Sequence, residues 1–165
     1  MNLRNTAWLR MGRIRNYRRL SFRRRRALRA AFLAILTVRF LITVLPFRFW
    51  KRLLVYRESA LRGRGISAPE TTSVVVWAVS LASRHVPWSE TCLVRALAAH
   101  KLLARSGVAS IIHIGVGSSP EGAFQAHAWV QCRDVVVIGN EPAEGGVERF
   151  TLLHTLGAAL PLARS

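Results

Sequence analysis

One cysteine and one histidine stand where a thiol nucleophile could be built. Cys92 opens an apolar run with helical spacing, and His127 lies within Ala126-His127-Ala128-Trp129-Val130, a run typical of a β-strand. The N-terminus of a helix stabilises a thiolate, and an imidazole within reach accepts the thiol proton. The two segments therefore predict a pair in which Cys92 is the nucleophile and His127 its proton acceptor.

Both residue types also have ordinary structural roles. A lone cysteine in an apolar helix is most often a small buried hydrophobe, and we assign Cys132 to that class. The other four histidines have no neighbouring chemistry in the sequence, and we expect each to be structural: His85, His100, His113 and His154. Cys92 and His127 stand apart because a helix start, a helix stop and two strands surround them.

The chain around this pair predicts an α+β body, a helix followed by antiparallel strands. Ser89 is a good N-cap and Ser106-Gly107 a good stop, so the helix should lie between them. We expect the segment over residues 70–85, apolar and without a turn signal, to be a preceding helix. Three strands should follow the Cys92 helix, with a loop at 117–122 and a turn at Arg133-Asp134; they cover residues 108–116, 123–132 and 135–138.

A third residue could orient the imidazole, and the hairpin geometry indicates which one. If Arg133 and Asp134 form a two-residue turn, paired positions sum to 267, which places Asn140 opposite His127. A longer turn would place Gly139 or Glu141 there instead. Asp134 would lie at the turn, about 20 Å along the strand from His127. Asn140 is therefore the predicted third catalytic residue.

The charge divides the chain in two. Of the 25 Lys and Arg residues, 16 fall in residues 1–57, which contain no acid, whereas the rest of the chain has nine basic and eight acidic residues. We therefore expect a basic, partly helical arm and linker over 1–65 and a catalytic core over 66–165. The apolar stretch of the arm is interrupted by Arg39, which is costly in a membrane span.

The arm has three possible roles. It could be a solvated extension leading into a helix that packs on the body, or it could bind an anionic membrane surface. Specific nucleic-acid binding is disfavoured, because the arginine run lacks a recognisable motif and has few aromatic partners. Two cysteines in no metal-ligand spacing predict no metal, no other cofactor and no disulfide framework, so we expect a cytoplasmic protein, with membrane association left open.

The chain resembles a known family at these same residues. Three segments carry the resemblance: Pro87-Trp88-Ser89-Glu90-Thr91-Cys92-Leu93-Val94-Arg95-Ala96-Leu97, residues 102–108, and Ala126-His127-Ala128-Trp129-Val130. They resemble the lasso-peptide leader peptidases, which are transglutaminase-like cysteine proteases. The likeness runs from about Leu81 to Leu153, with a looser one over residues 23–55. It implies a papain-like core that removes the leader from a ribosomally made precursor before an ATP-dependent lasso cyclase closes the macrolactam. It also implies a separate leader-recognition protein as partner.

One departure from the family concerns the third catalytic residue. The family supplies an aspartate about a dozen residues after the histidine, and Gly139-Asn140 occupies that neighbourhood here. Asparagine can hold an imidazole tautomer but cannot stabilise the imidazolium by charge. Two other functions remain open: a transglutaminase-like amidase or acyltransferase using the same pair, and a non-enzymatic membrane-surface or scaffolding protein in which Cys92 is buried core.

Overall fold

Three helices precede four strands in the described part of the chain. The computed structural model describes residues 20–46, 48–49, 69–86, 91–118, 122–140 and 146–157. The elements are α1 (Phe22–Val44), α2 (Pro69–Ser83), α3 (Cys92–Arg105), β1 (Ile111–Ser118), β2 (Phe124–Cys132), β3 (Val135–Ile138) and β4 (Thr151–Gly157). The α+β class predicted from the sequence is confirmed, as is the helix over residues 70–85. Residues 50–65, the end of the proposed arm and linker, lie outside the described residues.

Helix α1 packs on the body along one face. Its buried residues recur at helical spacing and include Leu28, Ala31, Ile35 and Val38. They belong to the same hydrophobic core as residues of α3 and of the sheet. The predicted division at residue 65 stays a prediction, but α1 shares this core. By length and composition α1 could also cross a membrane, and 28 % of its most apolar 18-residue window is buried.

Charged and aromatic side chains join the first turn of α1 to α2. Arg23 forms a 2.8 Å salt bridge with Glu70, and the guanidinium of Arg24 lies 5.5 Å from the ring centroid of Trp77. Glu70 stands in the first turn of α2, where a negative charge is favourable. Both contacts are exposed or partly exposed, so each contributes little to the stability of the fold.

Helix α3 is the centre of the molecule. It packs against α1 and α2 on one side and against β2 on the other. Its run Ala96-Leu97-Ala98-Ala99 is buried on every side, which explains why apolar residues surround this helix instead of forming one stripe. The predicted stop is confirmed by Gly107, which adopts the left-handed conformation with φ +76°.

The sheet is antiparallel in the order β3-β2-β1-β4. The predicted turn is confirmed: Arg133 and Asp134 join β2 to β3, and Arg133 takes a positive φ of +51°, a conformation that glycine adopts more readily. The first strand begins at Ile111, later than predicted. Strand β4 was not predicted at all.

The predicted hairpin register holds only next to the turn. Cys132 pairs with Val135 and Gln131 with Val136, but an irregularity follows and Val130 pairs with Ile138. The placement of Asn140 directly across from His127 is therefore wrong, because the shift moves every later position by one residue and β3 ends at Ile138.

Candidate active site

Cys92 is the first residue of α3. The cap is Thr91, whose Oγ1 accepts a hydrogen bond from the N–H of Val94 at 3.4 Å. The predicted cap, Ser89, lies outside the described residues, so the helix begins later than the sequence suggested. The half-buried Cys92 thiol faces strand β2, with Sγ 3.9 Å from the carbonyl oxygen of Ala126. The thiol thus lies where the helix N-terminus meets the strand that carries His127.

The His127 ring is buried and its tautomer is set by a backbone group. Nε2 lies 2.7 Å from the carbonyl oxygen of Gly139. A carbonyl can only accept a hydrogen bond, so Nε2 carries the proton and Nδ1 is left with a lone pair. The thiol of Cys92 is hydrogen-bonded to this same ring. His127 is therefore arranged to accept the thiol proton through Nδ1.

The surroundings of Cys92 favour its thiolate. Burial of the side chain raises the pKa of the thiol, but this is outweighed by the hydrogen bond and charge of His127 and by backbone hydrogen bonds from Ala128 and Leu93, so the net pKa is lowered. The position at a helix N-terminus acts in the same direction. Cys132 is the opposite case, because burial raises its pKa and no compensating group opposes it.

Two aromatic rings frame His127. Its ring stacks with Phe150 at a centroid distance of 4.9 Å and with Trp129 at 6.2 Å. Two glycines of β1 make room for these rings: a Cβ at Gly115 would stand 2.9 Å from the Trp129 indole, and one at Gly117 would stand 3.1 Å from the Phe150 ring. Sequence reasoning missed this arrangement, although Gly-Val-Gly inside a strand is a signal of close approach.

Gly139 reaches the imidazole because it has no side chain. Its φ is +90°, and a Cβ would lie 2.8 Å from Cβ of Trp129 and 3.0 Å from the carbonyl oxygen of Ala128. The main chain can therefore lie against β2 and direct its carbonyl at His127.

The other two candidates for the third role lie elsewhere. The Asn140 side chain is exposed and lines a cavity of about 170 Å³ together with Arg95 and Ser80. Asp134 is exposed in the hairpin turn, at the far end of β2 from His127. The structure thus brings together Cys92 and His127 of the predicted site, and the third contact to the imidazole comes from the backbone of Gly139 and not from the predicted Asn140 side chain.

The remaining histidines have structural surroundings. Nδ1 of the buried His100 lies 2.9 Å from Ser110 Oγ, His113 stacks on Trp129 at 5.5 Å, and His85 Nδ1 lies 2.7 Å from the Leu81 carbonyl. His154 is exposed on β4. Across the described residues, no group of three or more His, Cys, Asp or Glu side chains could hold a metal ion.

Comparison with known proteins identifies the family of the chain. A family model described as Transglutaminase-like superfamily matches residues 32–155, which include α1 from Phe32 onward, both members of the Cys92–His127 pair and most of β4. No curated protein and no solved structure matches the chain.

Proposed function

The chain belongs to the transglutaminase-like superfamily, and on that premise we propose that it is a cysteine peptidase with Cys92 as nucleophile and His127 as proton acceptor. One observation carries the proposal: a thiol of lowered pKa, at the first position of a helix, is hydrogen-bonded to an imidazole whose other nitrogen is held by Gly139. Proteins of this superfamily usually perform thiol-based acyl chemistry, and this geometry supports that chemistry.

The reaction proceeds through a thioester. The Cys92 sulfur attacks the scissile carbonyl carbon while His127 Nδ1 holds the thiol proton, and His127 then gives this proton to the leaving amine as the C–N bond breaks. His127 next takes a proton from water as the water oxygen attacks the thioester carbonyl carbon. The C–S bond then breaks, the new acid leaves, and the proton on His127 stays with the Cys92–His127 pair, which is thereby regenerated. The oxyanion is met by the backbone N–H of Cys92 at the start of α3, which has no acceptor within the helix.

In this proposal Gly139 is the main candidate for orienting the imidazole of His127, and Asn140 is the second. The Gly139 carbonyl orients the ring, and it stabilises the imidazolium with a dipole where a carboxylate would supply a full charge. Asn140 is adjacent, and its side chain is a second candidate for contact with the imidazole when substrate is bound.

The substrate we propose is the leader–core junction of a ribosomally made lasso-peptide precursor. The support is the resemblance of the segments around Cys92 and His127 to leader peptidases of that class. The partners proposed with it are the precursor, a separate leader-recognition protein and an ATP-dependent lasso cyclase. The proposed location is the cytoplasm, with an anionic membrane surface as a possible contact of the basic arm.

The test is the mass of a precursor peptide after incubation with this protein, with its recognition partner, or with both. Hydrolysis yields a leader and a core peptide whose masses sum to the precursor plus one water. Cys92→Ala should leave the precursor intact while retaining the fold. Products joined to an added amine would instead indicate an acyltransferase, and an intact precursor with a thiol that does not react would indicate the non-enzymatic alternative.

A further inference from the structure

A groove of about 600 Å³ runs between α1, α2 and the C-terminal half of α3. Its wall on α1 contains three small residues at helical spacing, Ala27, Ala30 and Ala34, which leave space where longer side chains would close the surface. Leu33 and Leu102 also line it. Volumes of about 300–1,000 Å³ are typical of pockets that hold ligands.

The rim of the groove is cationic. Arg23 and Arg26 line it from α1, and Lys101 and Arg105 line it from α3. Arg23 forms a salt bridge with Glu70. Within the described residues, the other three cations make no salt bridge. The groove thus combines an apolar, small-residue wall with positive charge that this part of the protein does not neutralise.

The groove lies apart from the candidate active site. Lys101 and Arg105 follow Cys92 on α3 by nine and thirteen residues, which corresponds to about 14 and 20 Å along the helix axis. A molecule bound there would contact the end of α3 opposite to the thiol. The groove is therefore placed for binding and not for chemistry.

We propose that this groove is a docking site for an acidic amphipathic segment of a partner protein. The stripe of α1 from Arg23 to Thr37 that lines it is about 21 Å long, comparable to four turns of a docked helix. Glutamates of such a segment would pair with the rim cations, and its apolar residues would occupy the space over the alanines. The role does not depend on Cys92 being a nucleophile.

The charge of the chain itself favours a different protein as the occupant. Residues 1–19 contain six arginines and no acid, so that segment does not complement a cationic groove. A second copy carries a formal charge of +17 and would be repelled at long range. A lipid surface would meet the rim, but its flat face would not fill a concave groove between three helices.

The test uses the full chain and a fluorescent peptide of about 18 residues, with leucines at i, i+3, i+4 and i+7 and glutamates between them. Binding is followed by fluorescence anisotropy at about 0.15 M salt. The double variant Lys101→Glu/Arg105→Glu should weaken binding at least about tenfold. The control Arg29→Glu/Arg84→Glu makes the same change in net charge at exposed arginines outside the groove and should weaken it less than about threefold.

Two similarly exposed apolar residues on α1 allow peptide binding in the groove to be distinguished from binding elsewhere on the helix surface. Leu33, which is 65 % exposed, lines the groove, whereas Phe40, which is 63 % exposed, does not. Leu33→Ala should weaken peptide binding and Phe40→Ala should leave it unchanged. Equal losses in both charge variants, equal losses in both apolar variants, or binding to phosphatidylglycerol vesicles without binding to the peptide would overturn the proposal.

Discussion

The carbonyl oxygen of Gly139 lies 2.7 Å from Nε2 of His127, so a main-chain group holds the imidazole. This contact depends on the register shift between Val130 and Gln131, which brings the backbone of Gly139 against Trp129. The positive φ of Gly139 and the absence of a side chain then direct the carbonyl at the ring. The group that orients the imidazole is therefore the backbone carbonyl of a glycine, a residue type without a side chain.

Replacing Gly139 should impair the site more than an equally strained substitution elsewhere. Gly139→Ala adds a Cβ that would lie 2.8 Å from Cβ of Trp129, at a φ of +90°. We expect Cys92 alkylation near neutral pH to slow at least about tenfold, because the Nε2 hydrogen bond is lost. Gly122→Ala is the control: its φ is +81°, but nothing lies within 4 Å of the added carbon. Iodoacetamide labelling of folded protein measures both variants.

Turnover of the precursor peptide, measured for the Gly139→Ala variant as well, compares the two side-chain candidates for the third role. Asp134→Ala should be silent, since Asp134 lies in the hairpin turn. Asn140→Ala should slow turnover only a few-fold if the carbonyl of Gly139 is sufficient. A loss of turnover in Asn140→Ala as large as that in Gly139→Ala would assign the orienting role to the Asn140 side chain in the substrate complex.

The two cysteines should differ in reactivity and in how it depends on pH. The pKa of Cys92 is lowered despite its burial, whereas burial raises the pKa of Cys132. Because the thiolate is the reactive form, Cys92 should keep reacting with iodoacetamide below the ordinary thiol pKa, and Cys132 should react only at higher pH. Peptide mapping of labelled protein between about pH 6 and 9 measures this. Labelling of the two thiols at equal rates across this range would contradict the assignment of Cys92 as nucleophile.

The elements that carry the pair could be predicted because each has strong local signals. Local propensity predicts the apolar helix that ends at Ser106-Gly107 and the β-branched strands that follow it. The Arg133-Asp134 turn is predicted by its position between two such strands. The third contact could not be predicted in detail. It depends on an irregularity between Val130 and Gln131, and one residue of register decides which group meets His127.

The aromatic frame and β4 depend on tertiary contacts that a single sequence does not reveal. Strand β4 is mostly exposed, so its residues lack the apolar alternation that identifies a half-buried strand. The stacking of Phe150 and Trp129 on His127 joins residues from separate elements. Helix α1 shows the same limit, because its apolar content alone does not distinguish packing on the core from contact with a membrane.

Gly115 should be needed for the position of Trp129. A Cβ at Gly115 would lie 2.9 Å from the indole and 2.9 Å from the carbonyl oxygen of Thr151. Gly115→Ala should therefore destabilise the protein by about 1–3 kcal/mol, as overpacking typically does, and slow Cys92 alkylation by displacing the ring that stacks on His127. Chemical denaturation measures the first effect. Trp129→Leu in the same chain should restore part of the stability, and strict additivity of the two changes would contradict a direct contact.

Protonation of His100 should make the fold less stable in mild acid. His100 is buried with Nδ1 2.9 Å from Ser110 Oγ, and this burial lowers its pKa. In the unfolded chain the ring titrates near its ordinary pKa of about 6.5, whereas in the folded chain it stays neutral to lower pH. Between those two values the unfolded state binds more protons, so the free energy of unfolding must fall as the pH drops below about 6.5.

The variant His100→Asn separates this effect from other titrations. Its side-chain amide can occupy the position of Nδ1 and keep a hydrogen bond to Ser110, but it does not titrate. We expect the variant to be less stable than the natural protein at pH 7.5, because the ring volume is lost, and to lose less stability between about pH 6.5 and 5. His113, whose pKa burial also lowers, titrates in both proteins, so their difference reports His100. Parallel curves of unfolding free energy against pH would show that His100 does not contribute.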